Sequence, residues 1–172
     1  KHGKIALIHF DSHFDTWDEY FGEKCTHGTP FKRAIDEDLF DVDHSMHVGI
    51  RGTINDYCDI EKDKELGFKT IFCNEIDDIG IKGITKKILE RVGDTPCYIS
   101  IDIDCIDPAF APGTGTPEPG GLSSRELIQI LKGISELKVV GGDIVEVSPS
   151  YDANSITAQL AAHLAYELIC LI

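Results

Sequence analysis

Five side chains of metal-binding type occur in two short clusters of the sequence. They are Asp11, His13 and Asp15 in one cluster, and Asp102 and Asp104 in the other. Each cluster lies at the end of an apolar run. Side chains alternate along a strand, so the members of each cluster would share one face while the chain stays extended. Carboxylates that converge within a few ångströms repel one another unless cations compensate their charge. The two clusters therefore predict a metal centre.

The ligand set favours a pair of divalent ions. Carboxylate oxygens with one imidazole suit Mn²⁺ best, and Ni²⁺, Co²⁺, Zn²⁺ and Fe²⁺ are compatible with the same donors. Five protein ligands exceed what one catalytic metal with open positions normally uses, which favours two metals that share bridging carboxylates. Taken alone, Asp11 and His13 could cap the strand or face solvent, and Asp102 with Asp104 could form a magnesium-dependent phosphoryl-transfer motif. His9 has the same parity but lies deeper in the run, and we interpret it as a packed histidine or one that supports the ligands.

Two further side chains are candidates for a reaction at this centre. His27 lies in a Thr-His-Gly-Thr-Pro loop soon after the first cluster, and histidine suits proton transfer near neutral pH. Glu146 interrupts the apolar run DIVEV, where a buried carboxylate needs a cationic or hydrogen-bonding partner. A planar guanidinium pairs well with such a carboxylate. The alternatives are an ordinary surface histidine and a solvated residue at a strand end.

Positioning these side chains requires regular elements, and the chain shows an alternation of strands and helices. Apolar runs predict strands at 4–10, 47–52, 68–73, 97–104 and 139–147. Helical spacing and cap residues predict helices at 30–40, 55–66, 83–92, from Ser123-Ser124 onward, and 155–171. The helix at 55–66 carries many charges and is expected to be exposed, and Glu126 is placed to form a capping box at the start of the fourth helix. The alternation predicts a three-layer α/β/α fold with a central, mostly parallel sheet, in a single domain over residues 1–172. Chemistry in such sheets lies beyond the carboxyl ends of the strands.

Composition excludes several classes of partner. The balance of 16 Lys and Arg against 30 Asp and Glu gives a formal net charge of −14, which disfavours nucleic acid and anionic lipid. No apolar run approaches the roughly 20 residues that cross a bilayer. The six cysteines are dispersed, which predicts free thiols in a reducing compartment and a cytoplasmic location. Because the chain opens at Lys1, just before a core strand, we expect an N-terminally truncated segment whose targeting signals are not readable.

Longer segments resemble one enzyme family. HFDSHFDT at 9–16 and SIDIDCIDPAFAPGTGTPEPGG at 100–121 resemble the two long manganese-binding motifs of the ureohydrolases, the arginase and agmatinase family. The TPEPGG ending resembles the agmatinase-like branch more than arginase. THGTPF at 26–31, HVGIRG at 47–52 and DIVEVSPSYD at 143–152 agree, so the resemblance extends over essentially the whole segment.

The resemblance implies roles for the candidate residues. It makes Asp11 and Asp102 the ligands that bridge two metal ions. It lets His13, Asp15 and Asp104 complete the shell of one ion or the other. His27 falls where the family has a histidine that moves protons, and Glu146 where a carboxylate receives the substrate guanidinium. The family's remaining ligand is a histidine in a Gly-Gly-Asp-His motif that this chain lacks, and we expect it to lie upstream of Lys1.

The resemblance also implies a reaction and an assembly. A hydroxide shared by two metals would attack the guanidinium carbon, and His27 or Asp15 would return a proton to the departing amine. The products would be urea and an amine. Agmatine is the common substrate of the branch, and relatives accept guanidinobutyrate, guanidinopropionate or guanidine. Family members are usually trimers or hexamers. Three alternatives stay open: a single-zinc amidohydrolase of the histone deacetylase type, a phosphatase of the haloacid dehalogenase type, and a non-catalytic subunit of an assembly.

Overall fold

The computed structural model describes residues 2–54 and 56–172. These residues form a sheet of five parallel strands: β1 (Ala6–Phe10), β2 (Met46–Ile50), β3 (Lys69–Phe72), β4 (Cys97–Asp102) and β5 (Val139–Val145). The strand order is β3-β2-β1-β4-β5, so β1 is central. The parallel sheet expected from the sequence is confirmed, and each strand lies where an apolar run predicted it.

Helices cover both faces of this sheet. They are α1 (Pro30–Asp36), α2 (Cys58–Leu66), α3 (Ile76–Val92), α4 (Ser124–Gly133) and α5 (Ile156–Leu171). Alternate residues of β1, from Ala6 to Phe10, join the main apolar core with α3, α4 and α5. On the opposite face, the ring of His9 packs against Phe31 of α1, and α2 contacts β2. The three-layer α/β/α fold is therefore confirmed. No helix in the described residues is long and apolar enough to span a membrane.

The start of α4 illustrates how local sequence sets an element. The hydroxyl of Ser123 accepts the backbone N–H of Glu126, and the carboxylate of Glu126 accepts the backbone N–H of Ser123 at 2.7 Å. This reciprocal cap satisfies two N–H groups that the first helical turn leaves without partners. The predicted capping box is confirmed.

Two helices differ in length from their predicted form. α1 ends at Asp36 rather than at residue 40, because the backbone turns at Asp38, which adopts a left-handed conformation with φ of +60°. α3 begins at Ile76 rather than at residue 83, even though Gly80 interrupts its helical geometry with φ of +62°. Glycine adopts this conformation without the steric cost that other residues bear, so helical structure lies on both sides of the kink.

α2 also differs from the prediction, which made it an exposed helix. It buries Asp59 and Asp63, although both are charged residues in a mostly polar stretch. Because buried carboxylates require hydrogen-bonding partners, the side of α2 that carries these two residues faces the interior. Asn55, where the predicted helix began, lies outside the described residues.

The order of the strands determines which edge can hold a ligand. From β1 the chain continues to β2 and β3 on one side of the sheet, and it returns to β4 on the other side. Open parallel sheets bind ligands at such a reversal, beyond the carboxyl ends of the strands. Phe10 of β1 pairs with Ile101 of β4, so the residues that follow each of them emerge side by side. These residues are Asp11 and Asp102.

Candidate metal centre

The first ligand cluster lies in a turn rather than in an extended strand. β1 ends at Phe10, the backbone N–H of His13 donates to Oδ1 of Asp11, and Asp15 has a positive φ of 55°. The expectation that strand alternation places the three side chains on one face is therefore wrong. An aspartate that accepts a backbone N–H two residues ahead closes a local turn, and this turn gathers the side chains instead.

The second cluster turns in the same way. Oδ1 of Asp102 accepts the backbone N–H of Asp104 at 2.8 Å, at the start of a single 3₁₀ turn over Ile103–Cys105. The predicted strand 97–104 therefore ends at Asp102. In both clusters, an aspartate at the strand end or directly after it caps the turn that follows.

One group of candidate ligands joins the two clusters. Asp11, His13 and Asp104 each offer a ligand atom within 4.8 Å of the others. Nδ1 of His13 lies 3.0 Å from Oδ2 of Asp104 and 3.4 Å from Oδ1 of Asp11. Ser12 holds Asp104 in place, since its backbone N–H and its hydroxyl both donate to Oδ1, at 3.1 and 2.7 Å.

A second group shares Asp11 with the first. It consists of His9, Asp11 and Asp15. Nε2 of His9 lies 2.8 Å from Oδ2 of Asp11, yet this buried oxygen has no hydrogen-bond partner among the described residues. A buried carboxylate oxygen without a hydrogen bond is costly. A cation shared with the neighbouring ligands would satisfy it.

Burial and neighbouring charges both shift the pKa values of the carboxyl groups in this candidate centre. Burial raises the pKa of Asp11 to about 7, of Asp15 to about 8 and of Asp102 to about 10, and neighbouring carboxylates add to each shift. Burial alone would raise the pKa of Asp104, but the hydrogen bond and charge of His13 and the hydrogen bonds of Ser12 together hold this pKa below the usual value. Burial opposes protonation of His13, but its hydrogen bonds with Asp104 and Asp11 raise its pKa to about 11.

These groups fit a pair of divalent ions. Carboxylates that would otherwise bind protons lose them readily to a cation, and the two overlapping groups would share Asp11 between two ions. Asp102 belongs to neither group, so its assignment as a second bridging ligand stays a prediction. The donors do not discriminate between Mn²⁺, Ni²⁺ and Co²⁺.

The remaining predicted residues line cavities above the carboxylates. A cavity of about 90 Å³ is lined by His13, Asp15, Asp102, His27 and Glu146, among others. A second cavity, of about 240 Å³, shares all of these except His13. The structure thus brings residues from both clusters together with both reaction candidates at one edge of the sheet.

His27 and Glu146 lie at the open side of these cavities. His27 is exposed, and the edge of its ring meets Tyr20 with the centroids 5.3 Å apart. Glu146 does not interrupt a strand, because β5 ends at Val145 and Glu146 follows it, exposed, with φ of +61°. The inference from the cost of a buried carboxylate therefore does not apply to Glu146. Its position in the cavity lining is what makes it a candidate.

Arg51 is a residue of the site that the sequence interpretation missed. Its guanidinium donates to the carbonyl oxygens of Asp104, in the turn after β4, and of Pro119, in the loop 107–121, at 2.8 and 3.1 Å. From the same loop, the hydroxyl of Thr116 donates to Oδ2 of Asp104 at 3.1 Å. The sequence feature that could have indicated this role is an arginine directly after an apolar strand, because such a cation must find several hydrogen-bond acceptors nearby.

A larger cavity of about 660 Å³ lies beside the centre, between Trp17 and α2. Among the described residues that line it, none is a predicted ligand or reaction candidate. Volume alone therefore does not identify the reactive site, whereas the ligand geometry does.

The fold and the site define an α/β protein whose candidate metal ligands lie at the switch point of a parallel sheet. Comparison with known proteins narrows this class. The sequence matches the arginase family over residues 1–170, and the chain belongs to that family. The ureohydrolase resemblance drawn from its motifs is confirmed.

Individual relatives agree with this assignment. The chain is 46% identical to the agmatinase of Enterobacter sp. (strain 638) over 167 residues, which cover 97% of this chain and 51% of the relative. It is 43% identical to the guanidinobutyrase of Pseudomonas aeruginosa over 172 residues, which cover 100% of this chain and 54% of the relative. The proclavaminate amidino hydrolase of Streptomyces clavuligerus superposes with a TM-score of 0.91 at 43% identity, over 99% of this chain and 56% of that one. The chain spans about half the length of the curated relatives it matches.

Proposed function

We propose that the protein is a ureohydrolase that uses two divalent cations to cleave a guanidino compound into urea and an amine. The observation that carries this proposal is that two groups able to hold a cation share Asp11, while His13 and Asp15 of these groups line one cavity with His27 and Glu146. Relatives named agmatinase and guanidinobutyrase support it.

The two clusters would hold the metal pair. We assign five ligands: Asp11, His13, Asp15, Asp102 and Asp104. When bound, divalent ions supply the Lewis acidity that makes a hydroxide nucleophile available near neutral pH. Mn²⁺ is the metal that we propose first, and Ni²⁺ and Co²⁺ suit the same donors.

Two side chains at the cavity would handle the substrate. Glu146 receives the guanidinium, because a planar cation with a fork of N–H donors pairs with both oxygens of a carboxylate. His27 donates a proton to the departing amine, which an imidazole does efficiently near neutral pH. Asp15, which lines the same cavity as His27, is the alternative group for returning this proton.

The cavity lining favours a substrate with a cationic tail. Both cavities are lined by Asp15, Asp102 and Glu146, and the lining in the described part of the chain includes neither lysine nor arginine. Trp17 and Tyr20 stack with their ring centroids 4.8 Å apart, and aromatic faces attract an ammonium group. The metal pair would compensate the charge of Asp15 and Asp102, so the aromatic pair is the feature that distinguishes a cationic tail from a carboxylate tail. We therefore propose an agmatine-like substrate rather than a guanidino acid.

The test is urea release by the full-length protein, reconstituted with Mn²⁺ or Ni²⁺. The substrates are agmatine, 4-guanidinobutyrate, 3-guanidinopropionate, guanidine and arginine. We expect kcat/KM for agmatine to exceed that for the guanidino acids by about tenfold, since an aromatic pair attracts an ammonium group and gives a carboxylate no such contact. Absence of urea from every compound, with two metal ions bound per chain, would refute the proposal. A single bound zinc with deacetylase activity would support the amidohydrolase alternative instead.

The family resemblance also leads us to propose a trimer or hexamer, and the dispersed cysteines lead us to propose a cytoplasmic location. Light scattering of the purified full-length protein and microscopy of a tagged copy in its own cell test these two points. A monomer, or a signal from another compartment, would contradict them.

A further inference from the structure

Trp17 lies between the candidate metal centre and helix α2. It lines the cavity of about 90 Å³ whose wall also contains His27 and Glu146. It also lines the cavity of about 660 Å³ on the side of α2. It follows the proposed ligand Asp15 by two positions and is the only tryptophan of the sequence. Trp17 therefore borders both the space proposed for the substrate and a larger cavity beside it.

The backbone at Trp17 is fixed from two sides. The backbone N–H of Trp17 donates to the carbonyl oxygen of Gly28 at 3.2 Å. The hydroxyl of the preceding Thr16 donates to Oδ1 of Asp63 on α2 at 2.8 Å, and the relative exposure of Asp63 is only 2%. These two contacts position the main chain, but the torsion angles of the side chain still decide where the indole ring points.

A hydrogen bond to Asp59 sets the direction of the indole ring. The Nε1–H group of Trp17 donates to Oδ2 of Asp59 at 3.2 Å, and the same oxygen accepts the backbone N–H of Asp56 at 3.2 Å. Asp59 is buried, at 8% relative exposure, and lies in the first turn of α2. Because hydrogen bonds weaken steeply when the donor is misaligned, this acceptor restricts the ring to a narrow range of orientations.

Packing constrains the ring less on the side of α2 than elsewhere. A Cβ atom at Gly28 would lie 2.7 Å from Cε3 of the ring, so the ring packs directly against the glycine. Tyr20 stacks on the ring with the centroids 4.8 Å apart. Towards α2, however, the cavity of about 660 Å³ gives the ring room to rotate. The hydrogen bond to Asp59 is the contact that opposes this rotation.

We propose that Asp59 is a positioning residue, which acts through the indole N–H of Trp17 to hold the aromatic face that receives the cationic tail of the substrate. The inference rests on the proposed function, in which the pair of Trp17 and Tyr20 favours an ammonium tail. If the ring turned into the cavity beside α2, the tail would lose an aromatic face, which weakens binding by roughly fivefold. Glu146 and the metal ligands would keep their positions, so the reaction step itself would change little.

The first test compares Asp59→Leu with Asp59→Asn in the full-length protein, reconstituted with Mn²⁺. Leucine removes the acceptor, whereas the carbonyl oxygen of asparagine can accept both N–H groups that Oδ2 of Asp59 accepts. Asp59→Leu should raise KM for agmatine by roughly fivefold and change kcat by less than about twofold. Asp59→Asn should have the wild-type KM.

A second substrate and a second variant serve as controls. The carboxylate tail of 4-guanidinobutyrate has no favourable contact with an aromatic face, so Asp59→Leu should change KM for this compound by less than about twofold. Glu65→Leu is the matched control variant, because Glu65 lies on α2, is exposed and lines the same cavity of about 660 Å³. It should leave KM for both substrates unchanged.

The second test asks whether Asp59 acts through Trp17. Asp59→Leu combined with Trp17→Phe should raise KM for agmatine no more than Trp17→Phe alone, because phenylalanine has no N–H group for Asp59 to hold. The fluorescence of Trp17 is the difference between the emission of the wild type and that of Trp17→Phe. With Trp17→Phe subtracted in the same way, acrylamide should quench this fluorescence more strongly in Asp59→Leu, and equally in Asp59→Asn and the wild type.

Four results would overturn the inference. They are an unchanged KM for agmatine in Asp59→Leu, an equal rise in KM for both substrates, additive effects of the two substitutions, and unchanged quenching of Trp17. Circular dichroism checks folding, and Asp59→Ala replaces Asp59→Leu if that variant fails to fold.

Calorimetric titration with agmatine repeats the comparison without turnover. A wild type that binds agmatine but releases no urea would refute the proposed function, and the dissociation constants of the variants would then decide this inference. A wild type that neither binds nor cleaves agmatine would refute both.

Discussion

Replacing Arg51 by methionine should release the loop 107–121 from the sheet edge that carries the metal centre. The guanidinium donates to the carbonyl oxygens of Gly49, Asp104 and Pro119, at 3.2, 2.8 and 3.1 Å. It also donates to two further carbonyls, of Cys105 and Glu118. Methionine keeps much of the apolar stem and removes every donor, so the substitution isolates the contribution of these hydrogen bonds.

The magnitude follows from how many carbonyls lose a partner that water cannot replace. A hydrogen bond from a charged donor contributes about 1.5–3 kcal/mol, and a buried acceptor left without a partner costs about 1–3 kcal/mol. The bond to Pro119 is exposed and the others are partly buried, so water can replace several of them. We expect the free energy of unfolding to fall by roughly 2–4 kcal/mol. The melting temperature should fall by roughly 5–15 °C for a domain of this size.

Thermal unfolding followed by circular dichroism, in excess Mn²⁺, measures this effect. The control is Arg125→Met, which removes an exposed arginine on α4 and should change the melting temperature by less than about 2 °C. Arg51→Lys should be intermediate, because an ammonium cannot present the forked donors of a guanidinium. A melting temperature of Arg51→Met equal to that of the Arg125→Met control would refute the reasoning.

Three further predictions concern the centre itself. Asp102→Ala should abolish both urea release and uptake of the second metal ion. Glu146→Ala should retain both metal ions, as measured by elemental analysis, and lose substrate binding. Equal metal loss in the two variants would contradict the role of Glu146. His27→Ala should lower kcat more than it raises KM, and a change in KM alone would exclude proton transfer by His27. After removal of metal by a chelator, the free energy of unfolding measured by urea denaturation should decrease from about pH 5 to pH 9. Carboxyl groups whose pKa is raised in the folded state bind protons more tightly there than in the unfolded state, and this stabilisation is lost as they ionise. Added Mn²⁺ should remove this pH dependence, and a chelated protein whose stability is constant over this range would contradict it.

Local features explain why most elements could be predicted. The cap formed by Ser123 and Glu126 depends on residues three positions apart, and the apolar runs that became strands carry their signal within a few residues. The end of α1 was predicted wrongly, because it depends on a left-handed turn at Asp38, which the periodicity of the preceding residues does not reveal. The burial of Asp63 was also missed, because a polar helix pattern normally indicates an exposed helix.

The residue types and their spacing determined, without coordinates, that aspartates and a histidine follow two strands of one parallel sheet and that they suit divalent metals. Only the tertiary structure decided how these residues meet. The turn at Asp11 replaced the strand alternation, and the pairing of His9 with His47 depends on the register between β1 and β2. The contact of His47 with Asp63 depends in turn on where α2 packs. Such contacts join residues far apart in the chain, so no local pattern encodes them, and they form only when the sheet and its helices assemble.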